Sequence, residues 1–253
     1  MTNSIYHILN GSSLRAQFPK QLEGELIVAN ECLVDGDVQG DSLDELYDIR
    51  AKFLSESYGG TIQNYFDKVV NEFNKIHELT IDAEVNLWFE EDLFCQVNFW
   101  FVLHLIKLQT DIRKVNLVLP NKENRYGFGG MDNKSLIESF NKKLTITNSD
   151  FESLSQFWCF YQSENTDKLL KESELLIEQY PFLLTAVHAH IDRNLSNSKL
   201  GRPEQSLLNI MKDLETNEFP KVFREFCQRE AVYGFGDLQV KRLFDSLLSR
   251  KMN

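Results

Sequence analysis

Four short apolar runs, at residues 5–9, 25–29, 84–89 and 115–119, are separated by stretches with helical spacing. That alternation constrains the fold more than any other feature, because parallel neighbours need a crossover and the crossover is usually a helix. The first run ends at Asn10-Gly11-Ser12-Ser13, and the helical spacing after it is cut short by Pro19. Ser42 and Glu45 form a capping box for a helix over 43–57, which Gly59-Gly60 ends. Residues 63–77 place Phe66, Val69, Val70, Phe73 and Ile76 on one helical stripe. The pattern predicts an α/β domain over 1–147, doubly wound and Rossmann-like, with a mostly parallel sheet of about four to five strands.

From Asp150 onward strand signals give way to helical spacing, at 151–162, 167–179, 182–195, 203–214, 220–230 and 238–250. Residues 148–253 are therefore expected to be an all-helical domain. Its last three segments have the proportions of a helix-turn-helix or winged-helix unit.

The chain is acidic, with a net charge of −11, and 42% hydrophobic over 253 residues, which suffices for a sizeable core and excludes a disordered or fibrous class. Such a field repels nucleic acid and anionic membrane unless charge is locally segregated. It is segregated: residues 199–253 hold ten Lys/Arg against eight Asp/Glu, so the first 198 carry 17 − 30 = −13. Cys32, Cys95, Cys159 and Cys227 lie more than sixty residues apart with no paired spacing, which predicts reduced structural thiols rather than a zinc site or a disulfide framework. The opening MTNSIYHILNGSSL lacks the basic and apolar regions of a signal peptide, so a cytoplasmic location is expected. The apolar stretch 93–108 is too short to span a membrane and is interrupted by Gln96, Asn98, His104 and Lys107, so it reads as a buried helix with no membrane partner.

Glu90, Glu91 and Asp92 sit where the third strand should end and the next helix begin. In open α/β sheets ligands bind at that rim. A helix N-terminus favours the ionised carboxylate, suiting these acids to metal ligation, to accepting a ribose hydroxyl or to general-base work. Simple capping and solvation explain them equally well. Gly11, Ser12 and Ser13 occupy the equivalent rim after the first strand, where amides and hydroxyls can hold an anion, though a serine cap is the commoner reason for such a turn. His7 shares a strand face with Ile5 and Leu9, the place of a hydrogen-bonded core histidine. The loop 35–40 begins like a calcium loop but has Leu46 at its twelfth position, which rejects an EF-hand. His188 and His190 are two apart on a helix and cannot share an ion. Tyr126-Gly-Phe-Gly129 and Tyr233-Gly-Phe-Gly236 echo one another, each followed by an Asp suited to capping, Asp132 and Asp237.

HILNGSS, LWFEEDLFCQVN, YGFGG, LGRPEQSLLNIM and YGFGDLQVKRLF together resemble an uncharacterised bacterial family, a domain of unknown function with an appended helical C-terminal domain. The resemblance spans nearly the whole chain. In that family the first motif usually reads His-Ile-Val-x-Gly-Asp/Ser and the central one Trp-Phe-Glu-His-Asp-Leu-Phe/Tyr-x-Gln. It implies roles for His7, Gly11, Ser12, Trp88, Glu90, Asp92 and Gln96, with Glu91 at the variable position. Two stretches depart: the family's Gly-Pro after the second strand is Gly36-Asp37 here, and its Gly-Leu-Ser/Gly-x-Thr-Glu is Leu200-Gly201-Arg202-Pro203-Glu204.

The sequence thus nominates Glu90, Asp92 and His7 as catalytic candidates and Gly11, Ser12, Ser13, Gln96, Gly127 and Gly129 as ligand contacts, at the rim between the first and third strands. The expected ligand is a small polar molecule, nucleotide-like or phosphate-containing, with hydrolase or transferase chemistry as the candidate activity. No metal ligands are assigned, and the cofactor and oligomeric state are left open. A second reading makes the protein a regulatory or scaffold module whose C-terminal helices bind DNA or a protein partner.

Overall fold

The computed structural model describes residues 4–109, 112, 114–122, 124, 127–194 and 200–252. Its sheet has five strands, β1 (Ile5–Leu9), β2 (Glu25–Val28), β3 (Glu84–Trp88), β4 (Lys114–Val118) and β5 (Leu144–Ile146), in the order β2-β1-β3-β4-β5. The first four are parallel and β5 is antiparallel to β4. The expected α/β class and mostly parallel sheet are therefore present, with β5 added as a three-residue edge. The chain steps from β1 to β2 on one side and then returns across β1 to β3. The strand order reverses there, and in open α/β sheets ligands bind outside the carboxyl ends of the strands at such a point.

The helices of the first half are α1 (Ser12–Ala16), α2 (Leu43–Tyr58), α3 (Ile62–Tyr65), α4 (Asn71–Asn74), α5 (Leu93–Gln109), α6 (Asn133–Asn141), α7 (Asn148–Leu154) and α8 (Phe157–Gln162). A π-helical turn, Phe66–Val70, joins α3 to α4. Ser42 caps α2 as expected, accepting from the Glu45 amide at 3.2 Å, while the Glu45 carboxylate accepts from the Asp41 amide at 2.9 Å. The expected serine cap of α1 is not found: Gly11, at φ 97°, holds that position without a side-chain bond. Asp132 caps α6, as the sequence suggested.

Every residue of β3 is buried, and α5 is apolar on all sides, with Phe99, Trp100, Phe101 and Val102 all at or below 1% exposure. A helix hydrophobic all round belongs inside, and burying a side chain such as Phe101 contributes about 1.5–3 kcal/mol. On one face of the sheet, Leu9, Trp88 and Val118 pack with Leu14 of α1, Leu136 of α6, Phe128 and Met131.

The contacts divide the chain into two compact units, Met1–Glu91 with Cys95–Asn165, and Thr166–Asn253 with Asp92–Phe94. The sheet ends near residue 147, but α7 and α8 group with it, so the units part between 165 and 166 rather than at the end of the last strand. The second unit contains α9 (Thr166–Leu175), α10 (Pro181–Arg193), α11 (Arg202–Asp213), α12 (Phe219–Arg229) and α13 (Asp237–Met252). Among the described residues no strand follows Ile146, so this unit is helical and carries no wing. The α10 spacing puts His190 inside and His188 outside, which keeps the pair apart as expected.

Candidate functional site

At the point where the strand order reverses, Asn10 follows β1 and donates its amide to the Trp88 carbonyl, continuing the β1/β3 ladder by one bond. Its side chain spans the rim. Asn10 Nδ2 donates to Cys95 Sγ at 2.9 Å, and Asn10 Oδ1 accepts from Asn98 Nδ2 at 2.9 Å. Cys95 and Asn98 both come from the first two turns of α5 and are 7% and 1% exposed. Asn98 reaches further: it donates to the Glu31 carbonyl at 2.6 Å and accepts from the Leu33 amide at 3.3 Å. One buried asparagine thus ties the loops that leave β1 and β2 to the start of α5.

Glu90 sits between β3 and α5, half-buried, and its Oε1 accepts from the Phe128 amide at 2.8 Å. Gly127 makes this approach possible. It has φ 56°, and a Cβ there would lie 2.3 Å from the Glu90 carboxyl atoms. The second echo repeats the arrangement: Gly234, φ 62°, would place a Cβ 1.9 Å from Asp92 Oδ1. The two glycine turns that resemble each other in sequence therefore each receive one of the two acids. Tyr126 of the first turn lies outside the described residues. Asp237 is the first residue of α13 rather than its cap, and the Gly236 amide donates to Gln239 Oε1 at 3.0 Å instead.

Within the six-residue stretch from Glu90 to Cys95, one ligand atom each from Glu90, Asp92 and Cys95 lies within 4.8 Å of the others. Gln96, fully buried, donates Nε2 to the Glu90 carbonyl at 2.7 Å, while its Oε1 has no hydrogen-bond partner among the described residues. Comparison with family models, with curated proteins and with solved structures found no match. The chemistry of the rim has to be read from its own residues.

The structure brings together Glu90, Asp92, Gln96 and Gly127, together with Asn10, Cys95 and Asn98, which the sequence reading had not selected. It does not bring in His7 as a catalytic group. That ring is fully buried in mid-strand between Phe18, Trp88 and Phe140. Its Nδ1 accepts from Trp88 Nε1 at 3.1 Å and its Nε2 lies 3.1 Å from the Glu23 carbonyl, which fixes the neutral Nε2–H tautomer and leaves neither nitrogen for a proton transfer. Burial, more than any neighbouring charge, holds its pKa below the ordinary 6.5. Ser12 and Ser13 are exposed on a five-residue helix, and a Cβ at Gly129 would meet open space, so none of the three is built into the rim.

The acidic loop after β2 is not simply solvated. Glu31 is buried and paired with Arg50 of α2, with Nε to Oε1 at 2.8 Å and Nη2 to Oε2 at 3.0 Å, and Tyr65 donates to Oε1 at 3.0 Å. Arg50 also holds the carbonyls of Cys32, Asp35 and Asp37. Burial alone would lower the Arg50 guanidinium, but the Glu31 charge and hydrogen bond outweigh it and hold the pKa above its ordinary value. Cys32, beside Glu31, is pushed up to about 12, chiefly by burial, which makes it an inert thiol.

Proposed function

We propose that the chain binds a small polar ligand at the carboxyl-end rim between β1 and β3. The observation that carries this reading is the convergence of Glu90, Asp92 and Cys95 within 4.8 Å of one another where the strand order reverses. Carboxylates accept from hydroxyl or amine donors, so a ribose or sugar hydroxyl suits Glu90 and Asp92. Hydrolase or transferase chemistry fits a site of this kind. The same reading takes the protein as cytoplasmic and as a relative of the bacterial family whose motifs it resembles, since the central motif of that family coincides with the Trp88–Gln96 stretch. No helix among the described residues is long and apolar enough to cross a membrane.

A nucleic-acid role for the helical unit has less behind it. Arg202, Lys221, Arg229 and Lys241 each close an ion pair with an acid of that unit, which competes with phosphate for the same cations.

The test is a thermal-shift screen of the full chain against nucleotides, dinucleotides and sugar phosphates. A ligand at one hundred times its dissociation constant stabilises by about 2.7 kcal/mol. A hit that disappears in Glu90→Gln supports the reading, because glutamine keeps an acceptor for Phe128 and removes the charge; a blank screen overturns it.

A further inference from the structure

We propose that the stretch from Glu90 to Gln96 is a zinc site, with the carboxylates of Glu90 and Asp92 and the thiolate of Cys95 as ligands.

The donor set argues for the metal. Calcium and magnesium take oxygen ligands and leave thiols alone, whereas zinc accepts thiolate and carboxylate together. Three protein ligands with a fourth position open is the arrangement of a zinc that polarises a bound molecule, not of a purely structural one. A separate observation points to a ligand at the same turn. Gln96 is completely buried, and its Nε2 is fixed on the Glu90 carbonyl at 2.7 Å. The side chain leans back toward the start of α5, as helical side chains do, so its amide head lies at the turn that carries both acids. Among the described residues its Oε1 has no donor there, and a buried carbonyl oxygen without one is unfavourable. A cation, directly or through its bound water, supplies what that oxygen lacks.

Distances are compatible with closure. Zinc bonds of about 2.0–2.3 Å place tetrahedral ligand atoms about 3.3–3.8 Å apart. The three atoms lie within 4.8 Å, so side-chain rotation has to close the set by about 1 Å. Asn10 supports the sulfur. Its N–H on Sγ favours the thiolate, and Asn98 holds Asn10 in place from the other side. Binding transfers the Cys95 thiol proton to solvent, so affinity rises with pH.

The proposal shares Glu90 and Asp92 with the ligand reading above but is tested without any organic ligand, so either can fail alone. Full-length apoprotein is titrated with Zn2+, and Co2+ is then used as a spectroscopic replacement. The expected result is one Zn2+ per chain and, with Co2+, a sulfur-to-cobalt charge-transfer absorption with tetrahedral visible bands. Cys95→Ser should abolish the charge-transfer absorption and Asp92→Asn should weaken Zn2+ by more than about tenfold, whereas Asn10→Ala should weaken it by about 10–100-fold with the absorption retained. Wild-type protein that binds no Zn2+, or a cobalt complex without sulfur character, overturns the proposal whether or not the variants fold.

Discussion

The Glu90 carboxylate occupies the space that a side chain at Gly127 would need, and the next residue, Phe128, gives it a backbone N–H at 2.8 Å. Gly127→Ala therefore carries two costs. The left-handed φ of 56° is unfavourable for an L-residue by roughly 1–2 kcal/mol, and the new methyl displaces the carboxylate from its hydrogen bond. A total loss of about 2–4 kcal/mol is expected in urea denaturation. A loss no larger than that of an exposed Gly59→Ala, where nothing stands within 4 Å of the new Cβ, would mean that the carboxylate is not held there.

Arg50 and Glu31 are both fully desolvated in their side chains, and each is the other's charge partner. Arg50→Met strands a buried carboxylate, and Glu31→Leu leaves a buried guanidinium without its counter-charge. Each single change should cost about 3–5 kcal/mol, and the double variant Glu31→Leu with Arg50→Met should recover a large part of that. Equilibrium unfolding of the four proteins gives the coupling directly. Additive losses would remove the pair from its role in holding the loop after β2.

That pair marks the limit of what the sequence makes legible. β1, the cap at Ser42 and the apolar helix α5 follow from local period and local capping residues, all readable within a dozen positions. Glu31 and Arg50 are nineteen residues apart in a loop and a helix, and no local pattern distinguishes a buried Arg from the exposed charges beside it on α2. β5 has only Leu144, Thr145 and Ile146, too short to alternate visibly. The rim acids were legible as strand-end residues, but Cys95 was not. Cysteine-to-cysteine spacing carries no signal of it, because the groups that approach Cys95 are Glu90 and Asp92, five and three residues before it, and a mixed carboxylate and thiol spacing is no sequence signature. His7 was drawn toward the site by its motif and away from it by its strand face, and the strand face was the better guide. The two glycine turns were visible as echoes, yet their common purpose needed the fold, because Gly127 and Gly234 meet acids far away in sequence.

His7 and His190 make acid sensitivity a consequence of burial. Both have pKa values below 6.5, His190 down to about 3, chiefly because burial disfavours the charged ring. In the unfolded chain they titrate near 6.5, so below that pH the unfolded state binds more protons than the folded one and stability falls as pH falls. Each contributes a slope of at most about 1.4 kcal/mol per pH unit, beginning just below 6.5 and, for His190, lasting until pH approaches 3. Denaturation midpoints between pH 7 and 5, above the carboxylate range, should decline, and the combined variant His7→Gln with His190→Gln should flatten the decline. An unchanged slope in that variant would assign the acid sensitivity elsewhere.

Asn98 joins three things that the rim needs held together: Asn10 Oδ1, the Glu31 carbonyl and the Leu33 amide. Asn98→Leu keeps the volume and strands all three groups. Buried groups left without partners cost about 1–3 kcal/mol each, and since some will recover water, a loss of about 2–5 kcal/mol is expected. The change should also reach the thiol. Asn10, no longer anchored by Asn98, releases Cys95 Sγ, which is 7% exposed in the native protein. In a background with the exposed Cys159 and Cys227 replaced by serine, Cys95 should then react faster with a thiol reagent under native conditions. Loss of stability with an unchanged rate would show that Asn98 braces the two loops without acting on the thiol. If neither changes, the Asn10–Asn98 link is not what shapes the rim.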